Sequence, residues 1–572
     1  MKKLLTSGII LASLALAMIA CDNESGPAPA DSFSALSGTT AYEGAVNSTI
    51  TISLDLKGEG ISAVTANGQA VSFNTSSSEQ TISFDYTLPA TASAGEEFEI
   101  EVAAVTPDAT SDITVTVTAI GETSKTPLFL DVKPAFSSID IDVLLTSEDK
   151  LAASPAFVYG SMADGAGLLA NQDGTFTLIN NIEADFSVSR ILLDSKLRPF
   201  SGEYILNASA TGYTAMCSGS LITPAEHGFG PLYLAGGEWT ANAATYAPGV
   251  YRIDPDKTTA QAGTPDRITA MGEWITENAV AIGQNAYTDK TVVFIGDDQS
   301  DNSVPQGHLA MYVGDRGDLD GGKVYGIRVT SPGIEWEMDM EEGVAYNIEF
   351  VELLERDLEA LNTESLNKGL IGFSRVEDID WRRGSAAHER EVYFAVTGRE
   401  KDGLIGRGTI AGRVYKINMN ASSPTGNATI TCVLDGDKAG GKAAGFHSPD
   451  NVLATENYLY IQEDPNGITG KTGFAKLYQY DLATGELRIV LECDQTAAAT
   501  AGYGSTDDTW EITGMIDVSD VSGMDDAFLV ITQCHGWEAP VAGAFTDPKA
   551  VENVAASSQE GSMLYLIRGL GR

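Results

Sequence analysis

Histidine is scarce in this sequence, with five residues in a chain of 572. So few imidazoles weigh against a zinc centre built from histidine. Cysteine is equally sparse at five, and no two are spaced as CxxC, so a zinc ribbon or a thioredoxin-type site has no support. Positive charge is short as well: 35 Lys and Arg face 79 Asp and Glu, leaving a formal charge of −44. A chain this acidic repels phosphate backbones, so no nucleic-acid partner is expected. Beyond the first 20 residues no run approaches the ~18 apolar residues of a membrane span. Glycine, by contrast, is plentiful at 59 residues. With 43% hydrophobic and 20% charged residues, the composition reads as packed β cores joined by tight turns.

The amino terminus carries a targeting signal. Met1-Lys2-Lys3 is followed by an apolar stretch from Leu4 to Ala20, too short for a comfortable transmembrane helix. It ends in Met18-Ile19-Ala20-Cys21, which resembles a bacterial lipobox with Cys21 as the lipidated first residue. Residues 1–20 are thus expected to be a lipoprotein signal peptide and residues 21–32 a tether. The mature protein is expected on the cell envelope, membrane-attached through its lipid and monomeric. The four other cysteines, Cys217, Cys432, Cys493 and Cys534, permit two disulfides in an oxidising envelope, with pairing undetermined.

Residues 33–122 alternate in polarity over several stretches, such as Ile50-x-Ile52-x-Leu54-x-Leu56 and Ile82-x-Phe84-x-Tyr86-x-Leu88. Asn67-Gly68 between Val64 and Val71 is a hairpin signal. Together they predict an immunoglobulin-like sandwich. From residue 127 to 572 the chain repeats. A strand containing Tyr recurs as Val250-Tyr251-Arg252-Ile253, Val324-Tyr325-Gly326-Ile327, Val414-Tyr415-Lys416-Ile417, Leu477-Tyr478-Gln479-Tyr480 and Leu564-Tyr565-Leu566-Ile567. Each follows an apolar strand ending in a polar cluster, and a degenerate sixth unit surrounds Asn181-Ile182-Glu183. Six antiparallel meanders predict an all-β fold, a six-bladed β-propeller behind the sandwich. One helix is expected within Glu355–Asn367, where Leu358, Leu361 and Leu366 approach helical spacing.

Equivalent positions of successive blades share one height around a propeller's channel, so the recurring acids should converge there. Glu238, Glu277, Asp297, Asp298, Glu377, Asp378, Asp450, Glu463, Asp464 and Asp517 are the candidates. Carboxylates packed so densely cannot all ionise alone, and cations bound by oxygen relieve the repulsion. Adjacent Cys534 and His535 point to opposite faces of a strand, so no Cys–His dyad forms within it. His308, His388 and His447 are expected at surface or loop positions.

These boxes resemble the PhoX-type alkaline phosphatases over most of residues 150–572. Cys217-Ser218-Gly219-Ser220 and the strand Leu232 to Glu238 resemble that family's cysteine-glycine box and double-glutamate strand. Gly272 to Ala279 resembles its Gly-Arg-Phe-x-His-Glu-x-Ala box, and Val293 to Asp298 its Gly-Asp-Asp strand. Val376-Glu377-Asp378 stands where the family has Arg-Pro-Glu. Ser448 to Asn451 and Gln462 to Asp464 resemble its Pro-Asp-Asn and Cys-Glu-Asp boxes. The resemblance implies a six-bladed propeller with a calcium and iron centre that hydrolyses phosphomonoesters. It casts Cys217, Glu277, Asp298 and Glu377 as iron ligands, with Glu277, Asp298 and Glu377 catalytic. Glu238, Asp450 and Glu463 become calcium ligands, and Asp297 and Asp378 complete the metal candidates. The departures are Gly237 for the first glutamate of the pair, Glu273 for the arginine and Thr276 for the histidine. They imply a retained metal shell with a thinner supply of cations for phosphate. The alternative function is a non-catalytic propeller, stabilised by calcium, that binds a glycan or protein partner.

Overall fold

The computed structural model describes residues 35–465, 467–551 and 559–572. The expected signal segment, Cys21 and the expected tether lie outside them. All the extended sheets are built from β-strands, and helices are few and short. Two compact units share the chain: one holds residues 35–42, 51–86 and 99–117 of those described, the other residues 43–50, 87–98 and 118–572.

In the first, Thr49–Lys57 pairs with Leu36–Ser37 and belongs to a three-stranded sheet with Glu79–Thr87. Its alternate residues Ile52, Leu54 and Leu56 are buried while their neighbours face water, the period-two pattern read above. Asn67 and Gly68 take positive φ of 46° and 75° between the paired strands Ala63–Ala66 and Gln69–Ala70. Both central residues of a type I′ hairpin need that conformation.

The second unit consists of antiparallel meanders over residues 163–206, 214–253, 276–353, 376–435, 449–493 and 511–568. Their first strands are Ala163–Ala170, Thr214–Ile222, Thr276–Ala281, Val376–Trp381, Pro449–Ala454 and Glu511–Asp517. Each packs on the next, and the last packs on the first, so the six close a ring. Asp140–Thr146 completes the final sheet by pairing with Glu560–Arg568, joining the start of the ring to its end. The third and fourth meanders are further linked into one nine-stranded sheet through Ala345–Leu353 and Ala428–Asp435.

Inner strands buried on both faces read as continuous apolar runs, as in Val292-Val293-Phe294-Ile295, each at most 2% exposed. Across the paired strands Glu391–Val396 and Arg413–Asn418, Phe394 stacks on Tyr415 with centroids 5.2 Å apart, and Phe373 meets both edge-on. Burying one such ring contributes about 2–3 kcal/mol. Four of the recurring tyrosines, Tyr251, Tyr415, Tyr478 and Tyr565, are therefore core residues, while Tyr325 is half-buried. Tyr251 donates to the Ala247 carbonyl at 2.7 Å, and Tyr478 to the Gly445 carbonyl at 3.2 Å. The expected helix is present as Leu358–Asn367, capped by Asp357.

Cys217, Cys432, Cys493 and Cys534 are all buried free thiols, so the disulfides that an even count permits are not formed. His308 and His447 are buried rather than on the surface, each held by backbone: His308 Nδ1 lies 3.1 Å from the Ile371 carbonyl, and His447 Nε2 accepts from Ile468 N–H at 3.3 Å.

Candidate metal centre

Every first strand of the ring breaks register at the same place. The pairing shifts between Ala163 and Ala166, Met216 and Gly219, Thr276 and Ala279, Val376 and Ile379, Pro449 and Val452, and Thr513 and Ile516. A bulge re-aims side chains that regular pleating would send elsewhere. The first residue inside five of these bulges is Asp164, Cys217, Glu277, Glu377 or Asp450, and all five line one cavity of about 510 Å³. The sixth strand supplies Glu511 from its start instead.

The second bulge residue turns to a neighbouring strand. Asn278 donates to Asp378, whose other oxygen accepts from Val452 N–H at 3.0 Å. Asn451 donates to the Ser218 hydroxyl at 2.7 Å. Adjacent residues of one box thus divide the labour: one lines the cavity and the other ties the ring.

Inside the cavity the side chains form three overlapping groups and a separate fourth. Asp164, Cys217 and Glu277 offer ligand atoms within 4.8 Å of one another, as do Glu183, Cys217 and Glu238, then Glu277, Glu377 and Asp450, and finally Asp464, Glu511 and His535. Cys217 Sγ donates to Glu238 Oε2 at 3.0 Å, and Ser218 N–H donates to Glu277 Oε1 at 3.1 Å. Glu183 accepts from Trp239 Nε1 at 2.7 Å and Gln533 Nε2 at 2.8 Å. Burial, reinforced by Asp298 and Glu183, pushes the Glu277 carboxyl up to about 8. Burial likewise holds Glu238, Glu377, Asp450 and Glu511 well above the ordinary carboxylate range, and nearby acids raise them further. The Cys217 thiol is raised for the same reasons. Bound cations would reverse each of these shifts, because a positive charge favours the ionised ligand.

One guanidinium enters this acidic wall. Arg375 takes a left-handed backbone, φ 72°, immediately before its strand. It donates to Asp298 Oδ1 at 2.8 Å and Oδ2 at 3.2 Å, and its terminal nitrogen lies 2.8 Å from Glu377 Oε1. Sequence reasoning missed it, although Arg375 stands two residues before Glu377, the spacing of an Arg-Pro-Glu box. Asp164, Glu183, Glu511, His535 and Glu560 were missed as site residues too.

Other candidates lie elsewhere. Asp297 accepts from the N–H groups of Ile275 and His308 at 3.1 and 3.3 Å and does not line the cavity. Glu463 is buried under His447 N–H, Lys476 N–H and the Tyr478 hydroxyl at 2.8 to 3.1 Å. Asp517 pairs with Arg572 at 2.6 Å, outside the cavity. With Asp378, these acids have backbone and side-chain donors that fix them, so they do not converge with the rest. Gly237 leaves no room for a carboxylate, since a Cβ there would stand 2.8 Å from the Tyr251 ring. Glu273 pairs with Arg267 at 2.9 Å. Cys534 joins an apolar cluster while His535 faces the cavity, as opposite strand faces require.

The family model for alkaline phosphatase PhoX matches residues 243–533. That span holds Glu277, Arg375, Glu377, Asp450, Asp464 and Glu511, whereas Asp164, Glu183, Cys217, Glu238 and His535 fall outside it. No curated protein matches the chain. Similar solved structures include a quinonprotein alcohol dehydrogenase-like protein from Bacteroides thetaiotaomicron, with 12% identity, 80% of this chain and 95% of that one covered, and a TM-score of 0.26. A glycosyl hydrolase from Bacteroides ovatus has 9% identity over 65% of this chain and 97% of its own, with a TM-score of 0.30. Likeness this distant carries no weight for fold or activity.

Proposed function

The chain belongs to the PhoX alkaline phosphatase family of phosphomonoester hydrolases, and from that premise we propose a metal-dependent phosphatase on the cell envelope. Its catalytic unit is a six-bladed β-propeller, residues 127–572, and residues 33–122 form an immunoglobulin-like spacer. The observation that carries the reading is the set of in-phase bulges, which bring Asp164, Cys217, Glu277, Glu377 and Asp450 into one cavity.

The donor set fits cations. Carboxylates dominate the lining, and the buried carbonyl oxygens of Asn181 and Asn451, beside Cys217 and Ser218, have no hydrogen-bond partner. Hard oxygen donors suit calcium, and the Cys217 thiolate suits a transition metal such as iron. Asp164, Cys217, Glu238 and Glu277 would hold one part of the centre, with Glu377, Asp450, Asp464 and Glu511 holding the rest. Bound metals supply charge neutralisation and an activated oxygen nucleophile. The protein's own part is positioning. Arg375 presents the cavity's guanidinium to phosphate oxygens, a planar fork suited to bidentate contact. Trp239 and Gln533 fix Glu183, and Ser218 N–H fixes Glu277, so each carboxylate is held before substrate arrives.

Hydrolysis of an aryl phosphate by the purified protein, abolished by chelator and restored by calcium with iron, is the expected result. Calcium binding without turnover would favour a non-catalytic binding propeller.

The envelope location rests on the lipobox. Cys21→Ser should shift the protein from the membrane to the soluble fraction on cell fractionation; a variant still partitioning with membranes would contradict lipid anchoring.

A further inference from the structure

Arg375 holds a backbone conformation that residues other than glycine rarely adopt, φ 72°, and such a residue persists only where its surroundings over-determine it. One of the bonds that hold it recurs around the ring. The Arg375 carbonyl accepts from Thr397 N–H at 3.2 Å. Met162, Tyr213 and Ser448 lead into three other first strands with φ between 55° and 60°. Their carbonyls accept in the same way from the N–H groups of Glu183, Ala241 and Asp464.

A second tie comes from another meander. Ser374 N–H donates at 2.9 Å to Oε1 of Glu337, a fully buried carboxylate of the third meander. The same oxygen accepts from Thr409 N–H at 2.8 Å, so one atom clamps the approach to Arg375 against the loop before Arg413–Asn418. Glu337 is itself immobilised. The Arg413 guanidinium donates to its carbonyl at 2.8 Å and to the Tyr415 hydroxyl at 3.3 Å, and that hydroxyl lies 3.4 Å from Glu337 Oε2. The fit is close: a Cβ on Gly408 would stand 2.9 Å from the Ser374 side chain and 3.2 Å from Glu337 Oε1. Glu337 does not line the cavity, and among the described residues it joins no ligand-distance group. The metal centre does not account for it.

We propose that Glu337 is a positioning residue for phosphate binding: it sets Arg375 in register with Asp298 and so aims the guanidinium into the cavity. The inference rests on the phosphatase reading and on Arg375 as the phosphate contact. Asp298 and Glu337 belong to the third meander, and Arg375 leads into the fourth. The fork from Arg375 to the two Asp298 oxygens, at 2.8 and 3.2 Å, therefore spans two meanders. Glu337 ties the backbone one residue before Arg375 to the meander that carries Asp298. Loosening that tie lets the guanidinium drift, and a misplacement of about 1 Å at a reacting group costs as much as about 100-fold in rate. Glu377 lies beyond the pairing of Val376 with Val396, so the metal ligands keep their places.

The test shortens the carboxylate. Glu337→Asp keeps the charge but draws the acceptor back from both N–H groups, whereas Glu337→Gln keeps an oxygen at full reach. In the full-length protein Glu337→Asp should lower kcat/KM for p-nitrophenyl phosphate by at least about tenfold with metal per chain unchanged. Glu337→Gln should recover most of that loss. Placed on Arg375→Ala, Glu337→Asp should cost less than about twofold, because no guanidinium is left to misplace. Gly408→Ala crowds Ser374 and Glu337 without removing a bonding partner and should show the same dependence on Arg375; it decides the question if Glu337→Asp does not fold. Full activity in these variants, a loss of metal, or a tenfold loss that persists without Arg375 overturns the proposal. If the unaltered protein turns over p-nitrophenyl phosphate and Arg375→Ala is equally active, the positioning role alone falls. If the unaltered protein turns over none, the phosphatase reading falls with it.

Discussion

Glu377→Gln is expected to reduce aryl phosphate hydrolysis by about 100-fold or more and to lower the metal bound per chain. Glu377 occupies the bulge of its strand, 1% exposed, and shares a ligand-distance group with Glu277 and Asp450. Its carboxyl is held well above the ordinary range by burial; Arg375 draws it down, while Asp298 and Glu277 push it up. A bound cation stabilises the charged form that the metal-free site disfavours. The glutamine amide keeps the volume and one acceptor oxygen but discards the charge, so cation affinity falls as it does for loss of a ligand. The metal-free fold should not suffer, because the substitution removes one repelling charge from a crowded site. Measuring metal per chain alongside turnover separates this role from a structural one. Full metal content and full activity would take Glu377 out of the centre.

Arg375→Ala should fail in the opposite manner. A lost electrostatic donor to a reacting phosphate costs about 100- to 1,000-fold in rate, yet removing a cation from beside Asp298 and Glu377 leaves more negative charge for metals. Metal content should hold or rise while kcat/KM collapses. Arg375→Lys keeps the charge without the fork and should recover only part of the loss. If Arg375→Ala lost metal and activity together, its contacts at 2.8 Å to Asp298 and Glu377 would be its whole function.

Much of the architecture was legible in the residues, because repetition exposes it. The tyrosine of Val250-Tyr251, Val414-Tyr415 and Leu564-Tyr565 recurs where each sheet needs a large buried ring. The boxes Glu277-Asn278, Glu377-Asp378 and Asp450-Asn451 recur where each first strand bulges. What the residues did not disclose is the bulge itself, since no residue type demands it. Without it, Glu377 and Asp378 look equivalent, and both were assigned to metal. With it, Glu377 faces the cavity while Asp378 receives Val452 N–H and ties neighbouring strands. Glu463 and Asp464 part in the same way, the first buried under backbone donors and the second lining the cavity. Asp164 and Glu511 escaped notice because Gly165 and Ile512 follow them, without the Asn or Asp that follows the acid in the other boxes. Glu183 was visible in Asn181-Ile182-Glu183, but only topology shows that its meander closes the ring beside Cys217.

The central claim is that these converging ligands hold metals that hydrolyse phosphate esters. Elemental analysis of the purified full-length protein, paired with p-nitrophenyl phosphate turnover before and after chelation, tests it most directly. The account predicts calcium together with iron, activity lost on stripping, and activity regained when both metals are returned. Full turnover by protein stripped of all metal would contradict it.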